Sequence, residues 1–152
     1  MRLKHTYSSR EVATLTGLTA RQLQLWDASR LLLPAIAPRR TAAGGYTERR
    51  YSPIDLFELL VLADLRRLGF SVHQLHAIVD MLKEHFGVRL FEATGGGGRV
   101  RLLTDGQNIY ARTAGGEFFN LLRTPTQPLL VIGDEHLLRE LSGKAKAKRR
   151  KK

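Results

Sequence analysis

Four times along this chain, ahead of a helix-like apolar segment, a Ser or Thr is followed, three positions later, by a side chain able to reach back to it. Ser8-x-x-Glu11, Thr19-x-x-Gln22, Ser52-x-x-Asp55 and Ser71-x-x-Gln74 each precede a segment with apolar residues at helical spacing. In such a pair the hydroxyl accepts the backbone N–H three residues on. The third residue's side chain in turn accepts the N–H of the Ser or Thr, so two donors that a helix start leaves unpaired are both satisfied. One match is weak, but four predict helices at 9–16, 20–29, 53–68 and 72–86. Pro53 falls at a first helical position, where its missing N–H is no loss.

The first two predicted helices are short, and Gly17 between them can take the left-handed geometry that ends a helix. Val12, Leu15, Leu18, Leu23 and Trp26 offer one small shared core, which makes the pair a helix-turn-helix unit. Past it come Leu31-Leu32-Leu33-Pro34, Pro38-Arg39-Arg40, Gly44-Gly45-Tyr46 and Arg49-Arg50-Tyr51. A Gly-Gly pair between flanks carrying Arg and Tyr reads as a hairpin loop, a wing. The third helix lines up Ile54, Phe57, Val61, Leu65 and Leu68, and the fourth Leu75, Ile78, Val79, Leu82 and Phe86.

After Gly87 the period shortens. Segments 88–93, 99–104 and 108–112 read as short strands, with Asp105-Gly106 as a hairpin turn. Phe118-Phe119, Leu121-Leu122 and Leu129-Leu130-Val131-Ile132 add apolar material, and Asp134 can cap a last helix through Leu141. The strands at 88–93 and 99–104 have two readings: they pair across a dimer by edge addition, with Phe118 and Phe119 as anchors, or they close a core over the fourth helix. The resulting expectation is a mainly α N-terminal winged helix-turn-helix, four helices plus a wing, followed by a small strand-rich α+β segment. The boundaries are 1–72 for the DNA-binding part, 73–87 for a connecting helix, 88–143 for a dimerisation or regulatory segment and 144–152 for a disordered basic tail.

Composition narrows the function. The net charge is +11, with 11 basic and 6 acidic residues in 1–72, 7 and 8 in 73–143, and 7 basic and none acidic in 144–152. Two basic ends around a near-neutral middle point to a polyanion, nucleic acid ahead of a membrane surface. At 152 residues the chain can bury roughly 68–70% of its unfolded surface, so folding demands neither metal nor disulfide. Cysteine is absent, which excludes thiolate ligands and nucleophiles and fits a reducing cytosol. No apolar run approaches membrane-spanning length, and the N-terminus carries no secretory h-region.

In order, Glu11-Val-Ala, Thr16-Gly-Leu-Thr-Ala-Arg-Gln-Leu, Trp26-Asp, Leu31-Leu, Gly45-Tyr, Arg49-Arg-Tyr51-Ser, Asp55-Leu and Leu68-Gly-Phe-Ser71 resemble the MerR family of transcription regulators over roughly residues 7–83. The resemblance implies a second helix in the major groove and a wing on the sugar-phosphate backbone. It also implies paired copies that distort promoter DNA in the bacterial cytoplasm, at the nucleoid, with RNA polymerase or another protein as a further partner. The residue chemistry agrees: near a recognition-helix N-terminus Arg21 suits guanine, and Gln22 and Gln24 suit adenine. Arg39, Arg40, Arg49 and Arg50, with Tyr46 and Tyr51, bring forked and phenolic donors to phosphates. Two departures stand out. Gln24-Leu25 replaces the family's usual Arg-Tyr, and Thr47-Glu48 lengthens the wing. The long dimerisation helix of relatives is not visible past Phe86.

Other sites are weaker. His73, His76 and Asp80 have a spacing that can hold a metal, yet five histidines make that spacing common by chance, and no metal or other cofactor is expected. Gly95–Gly98 lacks the Lys-Ser/Thr of a phosphate loop and reads as a flexible hairpin loop. No catalytic constellation emerges, so an enzyme is not expected. The competing function is a DNA-bending architectural factor of excisionase or partition type, or an antitoxin-like adaptor with a protein-binding C-terminal module.

Overall fold

In the computed structural model all four capping boxes close. Ser8 Oγ accepts from Glu11 N and Glu11 Oε1 from Ser8 N, both at 3.2 Å. The reciprocal bonds are 3.0 and 2.9 Å at Thr19 and Gln22, and 3.1 and 2.9 Å both at Ser52 and Asp55 and at Ser71 and Gln74. The structure describes residues 4–32, 36–40, 47–95 and 97–129, together with Arg139. The boxes start α1 (Ser9–Thr16), α2 (Ala20–Ala28), α3 (Pro53–Arg67) and α4 (Val72–Phe86), each within one residue of the sequence expectation. Gly17 ends α1 at φ 75°, in the left-handed region that a side chain disfavours.

Three strands, β1 (Tyr7–Ser8), β2 (Ile36–Arg40) and β3 (Thr47–Tyr51), form an antiparallel sheet in the order β1-β3-β2. The β2–β3 hairpin is the wing, with Arg39 opposite Glu48 and Arg40 opposite Thr47. After α4 a 3₁₀ turn, Leu90–Ala93, leads to β4 (Val100–Thr104), β5 (Ile109–Thr113), β6 (Phe118–Asn120) and β7 (Thr124–Leu129), an antiparallel meander in chain order.

Packing corrects several readings. The buried stripe of α3 is Asp55, Leu56, Glu58, Leu59, Leu62, Ala63 and Leu65. Ile54, Phe57 and Leu68 are exposed, at 40%, 46% and 55%. Both stripes of this helix carry apolar residues at spacings of three and four; the buried one holds four leucines and Ala63, and the two carboxylates buried with them face Arg89. Leu15 is likewise exposed while Val12, Leu18, Leu23 and Trp26 are buried. Residues 88–93 form no strand. Val88, Leu90 and Ala93 are buried, and the 3₁₀ turn between them packs on α3 and β4. This segment therefore closes the core and cannot add to a sheet edge. Gly95, Gly97 and Gly98 fall between this turn and β4, and with no strand directly before them the hairpin-loop reading does not hold. At Gly98 an added Cβ would lie 2.2 Å from the Glu92 carbonyl oxygen.

The core is continuous. Trp26 and Leu31 from the helix-turn-helix, Leu62 from α3, Leu75, Ile78 and Leu82 from α4, and Val100, Ile109 and Phe119 from the second sheet belong to one buried cluster. Phe119 meets Phe86 edge-on at 5.2 Å and His85 at 5.8 Å. The expected helix at 134–141 and the tail at 144–152 lie outside the described residues.

Candidate nucleic-acid interface

The turn between α1 and α2 is held from both sides. Thr16 Oγ1 donates to the Val12 carbonyl at 2.7 Å and accepts from Leu18 N at 3.2 Å. Arg67, at the end of α3, donates to the Thr16 carbonyl at 2.5 Å, where α1 has run out of partners. Leu23 and Trp26 anchor α2 in the core at 2% and 3% exposure. Arg21, Gln24, Leu25 and Ala28 all face solvent. These four sit at i, i+3, i+4 and i+7, which is one helix face. Gln22 is engaged in the cap, its amide oxygen accepting Thr19 N–H.

At the far end of α2 the chain turns through Arg30, a non-glycine residue at φ 61°. Leu31 N donates to the Trp26 carbonyl at 2.9 Å and Arg30 N to that of Asp27 at 3.1 Å, so the left-handed residue is held by a helix-ending pair of bonds. Ser29 Oγ lies 3.1 Å from His76 Nε2, joining α2 to α4.

An ion pair fastens the wing to α2, Arg49 Nε to Asp27 Oδ2 at 2.8 Å, with both side chains partly exposed. Arg50, next along β3, donates to Thr6 Oγ1 at 2.7 Å. The pleat sends successive side chains to opposite faces, so the two arginines read together in the sequence serve different faces of the wing. Arg39 and Arg40 lie on β2, and Tyr46 lies outside the described residues. Tyr51 is in the core at 2% exposure. It is not presented at a surface, contrary to its reading as a phosphate donor: position 51 faces inward, opposite Tyr7 of β1. Burial pushes the Tyr51 hydroxyl pKa above its ordinary 10.0.

Sequence reasoning missed a second charged cluster, between α3 and the segment after α4. Glu58, 2% exposed, and Asp55, 0% exposed, lie one turn apart on α3. The Arg89 guanidinium bonds Glu58 Oε1 and stands 3.5 Å from Asp55 Oδ1. Glu58 Oε2 accepts Phe91 N at 3.1 Å. The available signal was two acids at i and i+3 inside a leucine stripe, a place where charge survives only when paired. Among the described residues no group of three or more His, Asp or Glu is arranged to hold a metal. Nor is any described helix long and apolar enough to cross a membrane.

The family model described as MerR HTH family regulatory protein matches residues 7–82, from β1 through the wing into α4. The chain belongs to the MerR family. An uncharacterized HTH-type transcriptional regulator of Mycobacterium tuberculosis is 31% identical over 137 residues, 90% of this chain and 56% of that protein. That match reaches past the MerR model into the strand-rich part. CueR of Vibrio cholerae, an HTH-type transcriptional regulator, is 31% identical over 74 residues, 49% of each chain. TipA of Streptomyces coelicolor, an HTH-type transcriptional activator, is 37% identical over 75 residues, 49% of this chain and 27% of its own. The chain spans about half the length of the mycobacterial relatives it matches.

Proposed function

We propose that this chain is a sequence-specific double-stranded DNA-binding regulator of transcription. In this reading α2 lies in the major groove and the Arg-bearing wing lies along the backbone. The observation that carries it is the solvent face of α2, with Arg21 and Gln24 side by side, held at a fixed angle to the wing by Asp27 and Arg49. Guanidinium and amide groups read base edges, whereas wing arginines meet phosphates without reading sequence. One short helix and one wing span few base pairs, so two copies on a pseudo-palindromic site supply the specificity, and the promoter is distorted between them. The described part of the surface first read for pairing that stands at a sheet edge is β4, and the contact between copies is assigned there. The work is done at the bacterial nucleoid, in the cytoplasm, with RNA polymerase as the protein partner and no catalytic group required.

Selection of bound fragments from the source genome, followed by salt titration of variants, tests this. Arg21→Ala relaxes base preference at one position per half-site and costs about 1–3 kcal/mol. Arg39→Ala or Arg40→Ala, on β2, weakens every sequence alike and lowers the salt slope by about one. Reversed effects would refute the assignment of roles. Fragments gathered at recombination or partition sites, with no promoters among them, would replace the regulator by an architectural DNA-bending factor.

A further inference from the structure

We infer that Leu25 reads the 5-methyl group of a thymine in the major groove, an inference that rests on the placement of α2 proposed above. Leu25 is 56% exposed, more than any other large hydrophobic residue described. A single exposed leucine is ordinary in itself, so its neighbours decide the matter. Arg21 lies one turn before it, Gln24 beside it and Ala28 one turn after, all on the same solvent face. Leu23 and Trp26 already fill the core side of the helix. The face therefore passes from hydrogen-bonding to apolar within two turns.

Base edges in the major groove present many donors and acceptors but one apolar group, the thymine methyl. A leucine cannot bond a phosphate or a polar edge, and it gains by covering that methyl and releasing water. Four helical residues rise ~6 Å, and base pairs stack ~3.4 Å apart. The thymine read by Leu25 accordingly lies within about two base pairs of the guanine assigned to Arg21. Ala28, a further turn along, is small enough to let the groove wall approach Leu25 closely.

The experiment takes the site selected by the full-length chain and replaces each thymine in turn by deoxyuridine, which removes the methyl and nothing else. Binding is followed by fluorescence anisotropy. For the wild-type chain one replacement per half-site weakens binding about fourfold, the value of burying one methyl-sized group. Leu25→Ala binds the thymine and deoxyuridine forms of that position equally, while Arg21→Ala keeps the methyl dependence. Because Leu25 is mostly solvent-exposed, Leu25→Ala melts with the wild type, and a melting curve verifies this on the same sample. Wild-type binding indifferent to every replacement, or Leu25→Ala retaining the dependence, overturns the inference and leaves the DNA-binding reading intact. Failure of the wild-type chain to select any sequence removes both.

Discussion

Arg89→Ala sets two opposed electrostatic effects against each other. The chain carries a net charge of +11, so deleting a cation relieves general repulsion. Locally, however, the deletion takes the cation away from Glu58 and Asp55, which are 2% and 0% exposed. General repulsion is screened beyond ~8 Å at physiological salt, whereas the Arg89 guanidinium bonds Glu58 directly and stands 3.5 Å from Asp55. The local effect wins. Removing one partner of a fully buried pair costs about 3–5 kcal/mol. The Arg89 side chain is 47% exposed, so water partly replaces it, and about 2–3 kcal/mol is the working figure. For a chain of this size that is a fall in Tm of about 5–10 °C. Urea unfolding of Arg89→Ala, Glu58→Gln and the double variant gives the coupling. In the Glu58→Gln background the bonded carboxylate is gone and the 3.5 Å approach to Asp55 remains, so Arg89→Ala costs less there than in the wild type. Arg10→Ala, at an exposed site, stays within about 0.5 kcal/mol of wild type. Equal losses in the two Glu58 backgrounds would refute the pairing argument, as would an Arg89→Ala effect no larger than that of Arg10→Ala.

Two further outcomes follow from backbone packing and burial. Gly98→Ala drives a Cβ to 2.2 Å from the Glu92 carbonyl oxygen, whereas at Gly97 nothing lies within 4 Å; urea midpoints therefore show a loss above about 1 kcal/mol for Gly98→Ala and little for Gly97→Ala. Burial raises the Tyr51 pKa above 10.0, so the unfolded chain releases this proton first and stability falls as pH rises past 10. Tyr51→Phe loses that part of the alkaline slope, and an unchanged slope between pH 9 and 11 would contradict the buried placement.

What the sequence made legible was local. Ser8, Thr19, Ser52 and Ser71 mark helix starts through partners three residues away, so those four starts could be located without knowing the tertiary fold. Gly17 and the Asp105-Gly106 turn belong to the same class: Asp105 Oδ1 accepts from Asn108 N at 2.7 Å and Gln107 N at 2.9 Å. What escaped was non-local. α3 carries leucines and other apolar residues on two stripes, and its buried Glu58 finds its partner in Arg89, more than thirty positions away. Residues 88–93 have strand-like composition, yet their apolar side chains meet α3 and β4 from a 3₁₀ turn. At the candidate interface, Arg21 and Gln24 stood where helical spacing put them. The pleat that separates Arg49 from Arg50, and the inward turn of Tyr51, depend on β1 and α2, which pattern reading does not bring together.

The unbroken core bears on how far such a chain can be recombined. α4 packs its Leu75, Ile78 and Leu82 into the same buried cluster as the helix-turn-helix and the second sheet, while Arg89, just past its end, is bonded to Glu58 on α3. A chimera joined at residue 72 would sever α4 from the leucines it covers. A junction at 87 would discard the cation that two buried carboxylates require. Portability therefore begins after the meander, and grafting the helix-turn-helix and its wing onto another protein means carrying the sheet along with them.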